Sequence, residues 1–88
     1  MLKPNKPSML LEIYTPDKKV FEGQVDSATF PGSKGSFQVL NNHAALISTL
    51  EKGRVIYKLK NEVNEIQILG GIVEVKNNKV VLLAEGIA

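Results

Sequence analysis

From Met9 onward apolar and polar residues alternate in short runs, and no stretch repeats its apolar positions every three to four residues for the length of a helix. A strand sends successive side chains to opposite faces, so period-two runs bounded by turn residues predict strands. Runs that alternate, or that are rich in β-branched residues, cover 9–15, 19–30, 36–40, 45–50, 54–60, 63–76 and 79–85. Turn chemistry separates them. Thr15-Pro16-Asp17-Lys18 places proline where a type I turn presets φ, and Phe30-Pro31-Gly32 predicts a type II turn with Gly32 at positive φ.

Asn77-Asn78, between Val73-Glu74-Val75-Lys76 and Lys79-Val80-Val81-Leu82-Leu83, predicts a two-residue hairpin, because asparagine tolerates the left-handed region that a type I′ turn requires. Residues opposite each other in a hairpin share a face. Val75 is therefore predicted to face Val80 and Val73 to face Leu82, which makes one side core. The other side carries Glu74 opposite Val81 and Ile72 opposite Leu83. For the patch formed by Ile72, Val81 and Leu83 two explanations stand: the rest of the fold covers it, or a partner does.

Apolar positions are even before Gly70-Gly71 (Ile66, Ile68) and odd after it (Val73, Val75). A strand changes its buried face only at a break, and paired glycines suit a bulge or a passage between sheets. Val25, followed by Ala28 and Phe30, shows the same swap. Two such corners predict an all-β fold, a two-sheet sandwich with strands that switch sheets.

The chain has 88 residues, enough for one domain, and a domain of that size buries only about 60–65% of the surface its unfolded chain exposes. It has no cysteine, which excludes disulfides and thiolate metal sites. With 11 Lys and Arg against 9 Asp and Glu the net charge is +2, interspersed along the chain, and the two Tyr and three Phe are scattered singly. That pattern offers no basic stripe with stacking aromatics, so no nucleic acid partner is expected. No apolar run approaches the roughly 20 residues that span a bilayer, and residues 1–8, with two prolines and two lysines, read as a flexible basic tail, disordered, before a domain over 9–88. A soluble, cytoplasmic protein is the default expectation.

Candidate chemistry is sparse. His43 is the sole histidine and lies in a loop entering a strand, where a lone imidazole most often bonds locally. Gly32-Ser33-Lys34-Gly35 shares residue types with a phosphate loop but lacks its spacing and its helix, and reads as a hairpin loop. The carboxylates, Glu12, Asp17, Glu22, Asp26, Glu51, Glu62, Glu65, Glu74 and Glu85, fall mainly on turns and polar strand faces and read as solvated surface. No pair stands out for acid–base work. The residues alone give a small all-β binding or structural module with no catalytic residue, metal or cofactor. An oligonucleotide- or sugar-binding barrel and a His43-dependent enzyme are the competing readings.

The motifs taken in order carry more. The stretch 11–46, with Thr15-Pro16, Val20-Phe21-Glu22-Gly23, Pro31-Gly32-Ser33-Lys34-Gly35-Ser36-Phe37 and His43-Ala44-Ala45-Leu46, resembles the opening of ATP synthase epsilon subunits. Leu50-Glu51-Lys52-Gly53, Gly70-Gly71-Ile72-Val73-Glu74-Val75 and Asn78-Lys79-Val80-Val81-Leu82-Leu83-Ala84 match the second half of that pattern, so the resemblance covers residues 9–86. It implies a sandwich of about ten strands that sits beside the gamma subunit, rests on the c-ring, reaches the catalytic head only through gamma, and catalyses nothing. The subunit would lie on the cytoplasmic face of the bacterial inner membrane, peripheral to it through the complex, where proton flow turns the rotor.

By position, Thr15, Ser33, Lys34, Gly35 and Ser36 resemble the ring-facing end, and His43, Ala44 and Leu46 part of the region near gamma, to which the apolar patch of Ile72, Val81 and Leu83 is added. Lys34 and Ser36 stand where the family commonly has acidic residues, and Asn41-Asn42-His43-Ala44-Ala45 where Pro-Gly-His-Ala-Pro is usual. Many such subunits continue into two C-terminal helices that inhibit hydrolysis. A chain complete at Ala88 is expected to lack that arm.

Overall fold

A computed structural model of the chain describes residues 9–88; the tail expected over 1–8 lies outside them. Nine strands form: β1 (Met9–Tyr14), β2 (Lys19–Val25), β3 (Ser27–Phe30), β4 (Phe37–Leu40), β5 (Leu46–Leu50), β6 (Gly53–Leu59), β7 (Glu62–Ile68), β8 (Gly71–Lys76) and β9 (Lys79–Ala84). They make two sheets, ordered β2-β1-β9-β8-β5 and β4-β3-β6-β7, and the described residues contain no helix. The all-β sandwich is the expected one. Seven predicted runs give nine strands because two of them divide where the buried face swaps: Asp26 parts β2 from β3, and Leu69-Gly70 parts β7 from β8. In both cases the chain leaves one sheet and enters the other.

The resemblance implied about ten strands. Nine form, and a further short segment at 86–88, not itself a strand, is laid on β7, where the Leu69 N–H donates to the Gly86 carbonyl (3.0 Å), the Ala88 N–H donates to the Gln67 carbonyl (2.9 Å), and Ile87 bridges Ile68.

The hairpin register is as predicted: Ile72↔Leu83, Val73↔Leu82, Glu74↔Val81 and Val75↔Val80 pair across β8 and β9. Asn77 and Asn78 take φ of 52° and 60°, the left-handed pair that a type I′ turn needs. Asn78 is held further, since its Oδ1 accepts from the Asn42 N–H (2.7 Å) and its Nδ2 donates to Asn41 Oδ1 (2.6 Å).

One turn differs from expectation. Gly32 does not adopt positive φ; Gly35 does, at 124°. Glycine is required at 32 by crowding, because a Cβ there would sit 2.6 Å from the Gly35 carbonyl oxygen and 2.9 Å from the Phe37 ring. The Thr15 turn is closed by a side chain: the Thr15 hydroxyl accepts from the N–H groups of Asp17 (3.3 Å) and Lys18 (3.4 Å), while the Thr15 N–H donates to the Lys18 carbonyl (2.9 Å).

The core lies between the sheets. Leu11 and Ile13 of β1 meet Val80 and Leu82 of β9 in a parallel pairing, and all four are fully buried. Val73 and Val75 continue that layer, and Phe30, Val39, Val55 and Ile68 face it from the second sheet. Burying each such side chain contributes about 1.5–3 kcal/mol. Tilted aromatic pairs, Phe21–Tyr57 (4.6 Å between centroids) and Phe30–Phe37 (5.7 Å), pack at the margins of this core.

Candidate functional site

Side chains suited to chemistry do not converge. The His43 Nδ1 lies 2.7 Å from the Ala44 carbonyl oxygen, a local contact in an exposed loop. Among the described residues no group of three metal-ligating side chains assembles. What the fold does present is surface, in two places.

The first is one end of the sandwich. Because β1 and β9 are parallel and β5 and β8 antiparallel, the loop after Tyr14, the Gly70 corner and the end of β5 at Leu50 all lie at that end. The Ser33–Ser36 loop is tied to it. The Ser33 N–H donates to the Thr49 carbonyl and the Thr49 hydroxyl donates to the Ser33 hydroxyl, both at 3.0 Å, while Gly32 bridges Leu50. Thr15 and the four loop residues Ser33, Lys34, Gly35 and Ser36 therefore share one end, separated by three strand spacings, or roughly 14–15 Å. All four loop residues are exposed.

The second surface is the outer face of the five-stranded sheet. Its register sets side chains in rows across the strands: Thr49, Ile72, Leu83 and Tyr14 in one, then Ile47, Glu74, Val81, Glu12 and Glu22 in the next. Ile72 is 39% exposed, Leu83 51% and Ile47 68%. Among the described residues nothing covers the Ile72–Leu83 patch. Val81 is half-buried in the adjoining row.

Glu12 corrects a second expectation. Its side chain is only 13% exposed, accepts from the Tyr14 hydroxyl (2.9 Å) and lies 3.7 Å from the Lys79 ammonium. Solvated surface does not describe it; it is a largely buried, bonded carboxylate within the outer face. The bond to Glu12 holds the Tyr14 hydroxyl pKa above its usual value. Lys19 bonds Glu22 beside it and lowers that carboxylate's pKa.

The residues expected near gamma do not form a single surface. Ile72, Val81 and Leu83 share the outer face, whereas His43 and Ala44 lie at the opposite end, in the β4–β5 loop near the Asn77-Asn78 turn. Leu46 points inward. It pairs with Val75, and its half-buried side chain packs on the core. Its neighbour Ile47 is the residue that faces out, and sequence reasoning passed over it. The signal was the alternation itself, once β5 is known to pair with β8 so that Ile47 stands opposite Glu74.

Known proteins place this sandwich. A family model described as the β-sandwich domain of the ATP synthase Delta/Epsilon chain matches residues 8–88. An ATP synthase epsilon chain from Maridesulfovibrio salexigens is 44% identical over 77 residues, which are 88% of this chain and 54% of that one. An ATP synthase epsilon chain from Chlorobaculum tepidum is 42% identical over 79 residues, 89% of this chain and 90% of the relative. The chain thus spans about half the length of the first of these relatives and nearly all of the second. Among solved structures, the central stalk and c-ring of the Tetrahymena thermophila mitochondrial ATP synthase contain a chain with TM-score 0.80 and 20% identity, covering 97% of this chain and 69% of that one. A chain in a Euglena gracilis mitochondrial ATP synthase gives 0.87 at 19%, covering 97% and 56%. At such identity the likeness is one of fold.

Proposed function

The chain belongs to the ATP synthase Delta/Epsilon family through its β-sandwich domain, and from that premise we propose that it is a non-catalytic subunit of the central stalk of an F-type ATP synthase. In this role it links gamma to the c-ring, so that proton flow through the ring drives ATP synthesis in the head. Its place is the cytoplasmic face of the bacterial membrane, held there through the complex. The observation that carries the proposal is the family match along the whole sandwich, joined to a 42% identical epsilon chain of which this chain covers 90%.

The geometry supports a division of labour. The end bearing Thr15 and Ser33–Ser36 is polar and made of loops, as suits contact with the ring's polar loops. The outer face with Ile72, Leu83 and Val81 is the apolar surface suited to gamma, joined by Ile47. His43 and Ala44, at the far end, touch gamma only if it reaches along the sandwich, and Leu46 supports the face from within. Residues 9–88 are strands and turns throughout, which suits a coupling role in the stalk.

Reconstitution tests this. The remaining subunits assembled with this chain are expected to synthesise ATP from a proton gradient, and assembled without it to hydrolyse ATP uncoupled. Equal coupling with and without the chain, or failure to co-purify with gamma under gentle conditions, would overturn the proposal.

A further inference from the structure

Each sheet of an open sandwich ends in strands with one row of main-chain groups unpaired, and natural proteins protect such edges with charge, shortness or a cover. Three of the four edges here follow that rule. β2 carries Lys19 and Glu22, β4 is four residues long, and β7 carries Glu62 and Glu65 with residues 86–88 laid on its end. The fourth, β5, reads Leu46-Ile47-Ser48-Thr49-Leu50, with no charge and no proline.

The hydrogen bonds of β5 show which of its main-chain groups point outward. The Thr49 carbonyl accepts from the Ser33 N–H (3.0 Å) and the Glu51 N–H donates to the Pro31 carbonyl (2.8 Å), so residues 49 and 51 turn their main chain away from β8. In an antiparallel ladder that direction alternates strictly by two. Ile47 therefore also turns its N–H and C=O away from β8, and among the described residues neither has a partner. The 31–33 segment covers the edge only as far as Thr49 and then departs. Beside the uncovered part lies a groove of about 370 Å³, lined by Ser33, Lys34, Gly35, Phe37, Ile47 and Ser48.

We propose that this edge receives an extended segment of the gamma subunit, which adds to β5 as a sixth strand of the first sheet at Ala45–Ile47 and continues the line of the 31–33 segment. The inference rests on the central-stalk reading above. A strand is the occupant these features suit: outward main-chain donors and acceptors two residues apart match an extended partner, whereas a helix has none to spare. An added strand also lies next to Ile47, level with the apolar outer face assigned to gamma, so edge and face form one continuous surface. Alternate side chains of the segment project into the groove onto Phe37, and Lys34 at its rim favours an acidic residue there.

Amide hydrogen exchange on the wild-type chain, alone and with its cognate gamma subunit, tests the proposal. The Ile47 amide is expected to exchange freely in the isolated chain and at least about 100-fold more slowly in the complex. Ile47→Pro removes only an N–H that β8 does not use, a substitution edge strands accept. It should bind gamma at least about 10-fold more weakly than Ile47→Ala, which loses the same side-chain contact but keeps the N–H. Binding of gamma with the Ile47 amide still exchanging freely overturns the strand addition and leaves the stalk reading standing. No binding by the wild type overturns both. Protection of that amide without gamma, in a self-associated chain, assigns the edge to a second copy and also overturns the proposal.

Discussion

Ile72 and Leu83 stand directly opposite each other across β8 and β9, on the face that points away from the core, and each leaves more than a third of its surface in solvent. One residue along, Val73 and Leu82 face inward and are fully buried. The same hairpin therefore carries a stability pair and a surface pair, and substitutions in the two should have opposite consequences. Leu83→Ser should leave the melting temperature of the isolated chain nearly unchanged and weaken binding to gamma about 10-fold or more, as loss of an apolar anchor does. Calorimetric titration with gamma and a thermal melt measure both.

Val75→Asp probes the inner side. Val75 is 1% exposed and lies between Leu46 and Val80, and among the described residues no cation is buried in that core to pair an introduced carboxylate. A buried unpaired charge belongs to the few changes that cost more than about 4 kcal/mol, against a total of about 5–15 kcal/mol for a domain. The expected result is loss of the cooperative unfolding transition and of amide chemical-shift dispersion.

Ser36→Trp tests the loop end. Ser36 is exposed and its loop is anchored through Ser33 and Thr49, not through Ser36 itself. The variant should fold with an unchanged circular dichroism spectrum, and proton-driven ATP synthesis in the reconstituted enzyme should fall. Unfolding would place Ser36 in the structural frame instead.

The two asparagines of the β8–β9 turn differ in what they hold. Both take left-handed φ, which glycine supplies more readily, but the Asn78 side chain also joins the β4–β5 loop through its bonds with Asn41 and Asn42. Asn77→Gly should be neutral or slightly stabilising. Asn78→Gly should cost about 1–2 kcal/mol, one to two hydrogen bonds, although it improves the turn. Denaturant midpoints of the two variants decide this.

Burial raises the pKa of the Tyr57 hydroxyl above 10.0. The folded state thus keeps that proton to higher pH than the unfolded chain does. Its contribution is intact below the ordinary tyrosine value and is lost as pH rises past it towards the folded pKa. Tyr57→Phe, which keeps the packing on Phe21, should flatten the alkaline fall in stability between about pH 9 and 12. Urea midpoints across that range provide the check.

Local signals made much of the fold legible. Asn77-Asn78 set a register because two adjacent residues tolerant of positive φ leave few other turns available. Gly70-Gly71 marked a change of sheet because the buried parity reversed around them, and Gly71 has its own steric reason: a Cβ would lie 2.4 Å from the Leu83 carbonyl oxygen. What alternation cannot encode is which strand lies beside which. Whether Leu46 or Ile47 faces outward, and whether Glu12 is solvated, depends on β5 meeting β8 and on β1 meeting β9, pairings between segments far apart in the chain. Gly32 was misread for a related reason: its constraint is the approach of Gly35 and Phe37, which a turn rule based on φ does not contain.

The parallel pairing of β1 with β9 also has a consequence in time. The first strand of the described chain finds its inner neighbour only in the last, so Leu11 and Ile13 have no partners in Val80 and Leu82 until residues 79–84 have been made. On a ribosome adding about 5–20 residues per second, the five-stranded sheet stays without its centre for several seconds and closes only after β9 clears the exit tunnel. Contacts of such long sequence separation also slow folding once synthesis is done. For that interval the nascent chain displays its apolar strands to whatever binds them, and a binding partner that stabilises the finished sandwich acts only after β9 is in place.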